Sequence, residues 1–151
     1  GGDVGASWMT KEDRLKDIAD NDVFLEKLLK NIFGEVINGD MNLHVLGFSQ
    51  GTATACRWLA QSEFKAKSLT LWAGMWPPDI SVEHVAAALK QTSIYMVLGN
   101  RDEYADSTVL EKQLALIKEL GLNPETMTFE GGHRLDRDTM LLLKRKIDEL
   151  V

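Results

Sequence analysis

The sequence predicts an α/β fold: a mainly parallel sheet with helices on both faces. Short apolar runs alternate with amphipathic, helix-like stretches along the whole 151-residue chain, which is the pattern of βαβ units. The first of these runs lacks clean alternation of apolar and polar residues, as is typical of a strand buried on both faces. Three of the runs are followed by a serine, an aspartate and a histidine that suit catalysis. The length indicates one domain.

Before the first strand the sequence predicts a loop and two helices. Residues 1–9 are glycine-rich, and Trp8 and Met9 there either mark the edge of a site or cover the core. Residues 10–19 suit a short helix. Residues 20–22 (Asp-Asn-Asp) would cap a second helix, which Gly34 ends. The apolar stripe of that second helix consists of Phe24, Leu25, Leu28, Leu29, Ile32 and Phe33.

The central stretch runs from a strand at residues 43–46, through Gly47-Phe48-Ser49-Gln50-Gly51, into a helix that includes residues 52–59. Strand, Gly-x-Ser-x-Gly and helix in this order form a nucleophile elbow. The turn would present the Ser49 hydroxyl over the first amides of the helix, which suit a developing oxyanion. The alternative interpretation is a glycine-rich βα turn with a surface serine.

Three more strands and three more helices are predicted after the elbow. The strands are residues 68–73, 93–98 and 126–130, and the helices are residues 82–89, 108–120 and about 136–150. Ser81 would cap the first of these helices, and Thr108 with Glu111 would form a capping box for the second, which Gly121 stops. In the last helix Met140, Leu143 and Ile147 would face inward.

Acyl transfer to a serine needs a base that takes the hydroxyl proton and an acid that orients the base. The chain order Ser49, Asp102, His133 accompanies a strand–elbow–helix serine. Because the carboxyl ends of parallel strands share one sheet edge, these residues are expected to meet there. Two glycines before His133 let its loop bend back over Ser49.

Other residues compete for two of these roles. Glu103 and Asp106 are rivals of Asp102 for the acid, although Asp106 also suits a cap of the following helix. His44 lies within the elbow strand, and His84 lies opposite the apolar stripe of its helix, so neither is favoured as the base. A surface or structural position is the alternative for His133.

Composition excludes several classes of function. A net charge of −6 gives no reason to expect binding to nucleic acid or to an anionic membrane. No stretch approaches about 18 consecutive apolar residues, so no membrane span is expected. The single cysteine, Cys56, excludes an internal disulfide and suits a reducing, cytoplasmic setting, where a buried structural thiol is expected. Neither GxGxxG nor GxxxxGK[ST] occurs, no closely spaced set of metal ligands is visible, and the chemistry requires no cofactor.

Three motifs, GFSQG at 47–51, Gly99-x-x-Asp102 and Gly132-His133, resemble the carboxylesterase/phospholipase family of α/β-hydrolases, which includes acyl-protein thioesterases. The likeness covers residues 40–151 and, more loosely, Ser7-Trp8. It implies that Ser49 is the nucleophile, Asp102 the orienting acid and His133 the base, with the Gln50 backbone amide in the oxyanion hole. The expected substrate is a small or lipid-like acyl ester or thioester. Met75 and Trp76 would flank its acyl group, although Trp76 suits the core or a lid equally well.

The sequence departs from this family at two places. Thr52 follows the elbow where the family usually has a smaller residue. The family also begins with strands, and with a loop whose amide completes the oxyanion hole, that are not found here. We therefore expect residues 1–151 to be the carboxyl-terminal part of a larger domain, with the edge of strand 43–46 covered by upstream strands or by a second copy. A catalytically impaired binding module is the alternative function.

Overall fold

The computed structural model describes residues 8–34, 42–80, 82–104 and 107–150. The described strands are β1 Leu43–Phe48, β2 Ala66–Trp72, β3 Ser93–Gly99 and β4 Glu125–Phe129. The described helices are α1 Arg14–Phe33, α2 Gln50–Gln61, α3 Val82–Leu89, α4 Ser107–Glu119 and α5 Arg137–Asp148. Strand and helix alternate from β1 onward, which confirms the predicted α/β class. None of the described helices is both long enough and apolar enough to cross a membrane.

All the described strand pairs are parallel, and the sheet order is β1-β2-β3-β4. The register aligns the ends of the strands, because Phe48 pairs with Trp72, Trp72 with Val97, and Gly99 with Phe129. The residues that follow β1, β3 and β4 therefore emerge at one edge of the sheet, as predicted.

Helices cover both faces of the sheet, which confirms that prediction. Alternate residues of a strand point to opposite faces, and the core divides accordingly into two clusters. On one face α2, α3 and α4 pack on the sheet, with Leu59, Val85 and Ile117 among the buried side chains. On the other face Leu143 of α5 packs with the cluster that contains Tyr95 and Val97. Burial of each such side chain contributes about 1.5–3 kcal/mol.

One long helix, α1, replaces the two helices predicted before the first strand. The chain from Arg14 to Phe33 contains neither proline nor glycine, so nothing interrupts the backbone hydrogen bonds of the helix. Residues 20–22 accordingly lie inside the helix, and Asp13 is the residue before it. Gly34 ends the helix with φ 57° and donates its N–H to the Lys30 carbonyl, as predicted.

The predicted apolar stripe of α1 is only partly covered. Leu25 and Leu29 pack against the core cluster, whereas Phe24 and Ile32 are exposed. The helix carries no fully buried residue. The periodicity of the sequence correctly predicted which face of the helix turns toward the core. The described part of the chain covers only one portion of that face.

Strand β1 is not buried on both faces, contrary to the prediction. Within the described sheet it pairs with β2 alone, and His44 and Leu46 on one of its faces are exposed. The apolar run was a correct signal for a strand. Burial, however, depends on what lies beside and above the strand, and a run of residues 43–46 does not contain that information.

The described helix caps after the elbow differ from the predicted ones. Asp136, predicted only as the approximate start of the last helix, caps α5, because its Oδ2 accepts a hydrogen bond from the backbone N–H of Thr139 at 3.1 Å. Helix α4 begins at Ser107, so Thr108 lies inside the helix and the predicted capping box is wrong. Ser81 and Asp106 lie outside the described residues, and their capping roles stay predictions.

Candidate active site

A strained turn links β1 to α2 and presents Ser49. The serine has φ 53° and ψ −121°, a left-handed backbone that side chains rarely adopt. Its N–H donates to the Trp72 carbonyl of β2 at 2.8 Å, and α2 begins at the next residue. A Cβ on Gly47 would lie 2.5 Å from the Thr52 Cα and 2.6 Å from the Gly51 oxygen. Only glycine fits there, as the Gly-x-Ser-x-Gly pattern predicted.

The structure brings Ser49, His133 and Asp102 into one hydrogen-bonded chain. The His133 Nε2 lies 2.8 Å from the Ser49 Oγ, which is within hydrogen-bond distance. The His133 Nδ1 lies 3.0 Å from Oδ2 and 3.2 Å from Oδ1 of Asp102. With the ring proton on Nδ1 facing the carboxylate, Nε2 is free to accept the serine proton.

The Asp102 carboxylate is shielded from water. Its side chain has an exposed fraction of 0%, and its Oδ1 also accepts the backbone N–H of Tyr104 at 2.9 Å. The rival Glu103 is exposed, and Asp106 lies outside the described residues. Position therefore favours Asp102 as the partner of His133.

The loops after β3 and β4 are tied to each other by backbone contacts. Asn100 N–H donates to the Phe129 carbonyl at 2.9 Å, and Arg101 N–H donates to the Gly131 carbonyl at 2.8 Å. The two loops approach so closely that a Cβ on Gly99 would lie 2.3 Å from the Gly131 oxygen. This close packing fixes the distance between the loop of Asp102 and the loop of His133.

Two aromatic rings flank His133, and sequence reasoning assigned neither of them to the site. The ring of Phe48 lies 5.0 Å from the imidazole, centroid to centroid, and the ring of Tyr104 lies 4.8 Å away, edge-on. Such contacts restrict rotation of the imidazole and keep its Nε2 directed at the serine. Only their positions in the sequence could have indicated this role, because Phe48 lies inside the elbow and Tyr104 lies two residues past Asp102.

The Gln50 side chain holds the segment of Trp8 and Met9 beside the turn. Its Oε1 accepts the Trp8 N–H at 3.0 Å, and its Nε2 donates to the Met9 carbonyl at 3.2 Å. Asn21 also donates to the Trp8 carbonyl. The partly exposed Trp8 indole lies at the first turn of α2, 3.3 Å from where a Gly51 Cβ would stand. This position favours the edge of the site over the core for Trp8.

Met75 and Trp76 occupy different environments. The Trp76 side chain is only 3% exposed and belongs to the core cluster under α2 and α3. Its backbone N–H donates to the Gln113 side chain at 2.8 Å. The core alternative is therefore favoured for Trp76 over contact with an acyl group. Met75 is half-buried, and its carbonyl lies 3.2 Å from the Thr52 hydroxyl oxygen.

The other candidate residues take no part in the hydrogen bonds that join Ser49, His133 and Asp102. His44 interacts with the Ser68 hydroxyl at 2.9 Å on the exposed face of β1, and the side chain of His84 lies outside the described residues. Cys56 is fully buried, as expected, and burial raises the pKa of its thiol above the ordinary value. Within the described ranges, no group of three or more His, Cys, Asp or Glu residues could hold a metal ion.

The chain is similar to known proteins in family and in fold. A model of the phospholipase/carboxylesterase family matches residues 3–151. No curated protein sequence matches the chain. Esterase PE8 and the Bacillus cereus carboxylesterase each superpose with a TM-score of 0.70 at 19% identity, over 97% of this chain and 71% and 66% of theirs. Zea mays acyl-protein thioesterase 2 gives 0.71 at 16% identity, over 96% of this chain and 70% of its own. These structures share the α/β-hydrolase fold with the chain.

Proposed function

The chain belongs to the phospholipase/carboxylesterase family, and from that premise we propose that it hydrolyses carboxylic esters or thioesters through an acyl-enzyme on Ser49. One observation carries the proposal: the Ser49 Oγ lies 2.8 Å from a His133 nitrogen whose ring is held by the buried Asp102 carboxylate. A nucleophile, a base and an orienting acid in hydrogen-bond contact are what acyl transfer to a serine requires.

In the first half-reaction the Ser49 Oγ attacks the carbonyl carbon of the substrate, and its proton moves to the His133 Nε2. The negative charge that develops on the carbonyl oxygen is stabilised by the backbone N–H of Gln50 at the start of α2, where the helix dipole is positive. When the tetrahedral intermediate collapses, the alkoxide or thiolate leaves with the proton from Nε2. The acyl group then remains on Ser49 as an ester.

In the second half-reaction water replaces the leaving group. His133 Nε2 takes a proton from the water, whose oxygen attacks the acyl carbon, and the Ser49 Oγ regains a proton as the carboxylic acid is released. Asp102 holds the ring in one tautomer and stabilises the imidazolium formed in both halves. Its two oxygens lie 3.0 and 3.2 Å from Nδ1.

The proposed substrate is a small or lipid-like acyl ester or thioester. Support comes from the relatives, whose names are esterase, carboxylesterase and acyl-protein thioesterase. The half-buried Met75, on the loop that follows β2, is proposed to flank the acyl group. Trp76 is left out of this role because its side chain is buried in the core.

The proposal is tested with p-nitrophenyl acetate and butyrate and with a fluorophosphonate probe. We expect hydrolysis by the wild type, a loss of about 10⁴-fold or more in kcat for Ser49→Ala and for His133→Ala, and a large loss for Asp102→Asn. The probe is expected to label Ser49 and not the alanine variant. Far-UV circular dichroism of each variant controls for folding.

Retained hydrolysis by a folded Ser49→Ala variant would show that another residue performs the chemistry. A wild type that neither hydrolyses the esters nor reacts with the probe would contradict the proposal and favour the binding-module alternative.

A further inference from the structure

The hydroxyl of Thr52 lies between the turns that follow β1 and β2. Thr52 stands on the first turn of α2 with an exposed fraction of 1%. Its Oγ1 lies 2.8 Å from the Ser49 carbonyl oxygen and 3.2 Å from the Met75 carbonyl oxygen, and can donate to either. The Thr52 backbone N–H donates to the same Ser49 oxygen at 3.1 Å. One residue thus supplies two donors to the carbonyl of the proposed nucleophile.

Both turns contain a strained residue. Ser49 has φ 53° and Ala73, just after β2, has φ 49°; no other non-glycine residue in the described ranges has a positive φ. Such conformations persist only where surrounding contacts over-determine them, and they concentrate at functional sites. The Thr52 hydroxyl contacts the backbone at Ser49 and two residues past Ala73, so it connects the two strained turns.

Gly74 provides the space that the Thr52 side chain occupies. A Cβ on Gly74 would lie 2.3 Å from the Thr52 Oγ1, 2.5 Å from its Cγ2 and 2.4 Å from the Ser49 carbonyl oxygen. The Thr52 side chain therefore fits against this turn only because residue 74 has no side chain of its own.

The Ser49 carbonyl and the Gln50 N–H belong to one peptide group. A peptide group is planar, and in the trans form its C=O and N–H point in opposite directions. A contact that fixes the direction of the Ser49 oxygen therefore also fixes the direction of the Gln50 N–H. That N–H is the proposed donor to the oxyanion, and such donors act best when they are held in place before the reaction.

We propose that Thr52 is a positioning residue for the proposed hydrolase: its hydroxyl holds the Ser49–Gln50 peptide group so that the Gln50 N–H is aimed at the oxyanion. This inference rests on the proposed function, because it concerns the donor used in that reaction. It predicts that loss of the hydroxyl slows the chemical step and leaves substrate binding nearly unchanged.

The test compares variants of the whole chain with and without the hydroxyl. Thr52→Val keeps the size of the side chain and removes the hydroxyl, whereas Thr52→Ser keeps the hydroxyl. We expect Thr52→Val to lower kcat for p-nitrophenyl butyrate by about 10-fold or more, with KM changed by about twofold at most. Labelling of Ser49 by the fluorophosphonate should slow in parallel. Thr52→Ser should restore most of both rates.

Thr54→Val is the matched control, because Thr54 is a buried threonine on the same helix and is not a partner in the hydrogen bonds that Thr52 makes at the two turns. The kcat of Thr54→Val is expected to stay close to that of the wild type. The melting temperatures of Thr52→Val and Thr54→Val show whether a loss of kcat merely reflects a loss of stability. If Thr52→Val does not fold, Thr52→Ala serves as the second hydroxyl-free variant.

A folded, hydroxyl-free variant with the kcat of the wild type would overturn the role of Thr52 and leave the proposed function intact. Equal losses in the variants at 52 and 54, or failure of Thr52→Ser to restore the rate, would do the same. A wild type without ester hydrolysis and without labelling would overturn both proposals.

Discussion

Ser49 is held in a backbone conformation that costs a non-glycine residue about 1–3 kcal/mol. Its φ of 53° is maintained by contacts on both sides of the residue. The N–H of Ser49 is bound to Trp72 on the neighbouring strand, and its carbonyl is bound to Thr52 on the helix. These backbone contacts hold Ser49 in the strained conformation, and the strained conformation directs its hydroxyl toward His133.

Replacement of Gly47 by alanine should destabilise the protein strongly. The added Cβ would lie 2.5–2.6 Å from backbone atoms of Thr52 and Gly51, and backbone atoms of a packed helix cannot move aside as a flexible side chain can. We expect a loss of at least about 1–3 kcal/mol, measured as the free energy of unfolding in urea.

Gly132→Ala is the control, because the Cβ there would meet only the Arg101 carbonyl oxygen, at 3.4 Å. That distance is ordinary van der Waals contact, so its unfolding free energy should change much less. Equal stability of the two alanine variants would show that the turn can adjust and that Gly47 is not required by the geometry.

At the residue scale the sequence predicted the positions that a local motif defines. Ser49, Asp102 and His133 lie within a few residues of the end of a strand, and the parallel sheet brings strand ends together whatever the details of packing. Trp76 and Gln50 were harder to predict. Burial of an indole and the pairing of the Gln50 side chain with Trp8 and Met9 are long-range contacts, and no local pattern encodes them.

At the scale of elements, helix α1 is joined to the rest of the fold through an ion-paired cluster. Asp79, in the loop before α3, accepts from Arg57 of α2 at 2.8 Å and from Arg14 of α1 at 3.1 Å. Arg57 is buried, so the carboxylate of Asp79 is needed as the counter-ion that compensates its positive charge. The cluster supplements the limited apolar contact that α1 makes with the core.

Asp79→Asn should weaken the protein in a pH-dependent way. The hydrogen bond and charge of Arg57, with a further bond from Arg14, hold the pKa of Asp79 below its ordinary value. A carboxyl group whose pKa is lower in the folded protein than in the unfolded chain stabilises the fold at pH values above the unfolded pKa. This contribution to stability is lost as the pH falls through the pKa of the folded protein. The variant should therefore be less stable than the wild type at pH 7, and the difference should shrink below about pH 4.

Urea unfolding of both proteins at pH 7 and at about pH 3 measures this difference. Glu12→Gln is a control, since Glu12 is an exposed carboxylate beside the same helix, and it should have little effect at either pH. A stability difference for Asp79→Asn that is the same at both pH values would contradict the ion-pair explanation.

The existence and type of elements were more predictable than their ends. All four described strands overlap their predicted ranges, because apolar runs bounded by glycine and polar residues are a strong signal. The two-helix prediction before β1 was wrong, since Asp-Asn-Asp resembles a cap. A cap forms only where the backbone leaves the helix, and no residue from 14 to 33 makes it do so.

At the scale of the molecule, parallel strands in chain order put α2, α3 and α4 on one face of the sheet and leave α5 to cover the other. Crossovers of one hand between neighbouring parallel strands account for the common face of α2, α3 and α4. The alternation of strands and helices predicted that both faces would be covered, but not which helix would lie on which face. The coverage of β1 was not, because that depends on what pairs with its outer edge.

The final prediction concerns that outer edge, which we expect to be paired in the natural protein by upstream strands or by a second copy of the chain. Within the described sheet β1 pairs only with β2, and Leu46 is 39% exposed on its face. Residues 45–47 carry neither a charge nor a proline, the usual protections of an edge strand. An apolar edge of this kind favours pairing with another strand.

We therefore expect the 151-residue chain to self-associate when its size is measured by light scattering, and Leu46→Lys to reduce that association, because a charge beside an open edge opposes pairing. Glu12→Lys, an exposed charge change away from β1, is the control. The intact mass of the natural protein then distinguishes upstream strands from a second copy. A monomeric, stable and active 151-residue protein whose β1 amides exchange rapidly with solvent would contradict the prediction, because it would show that β1 tolerates an open edge.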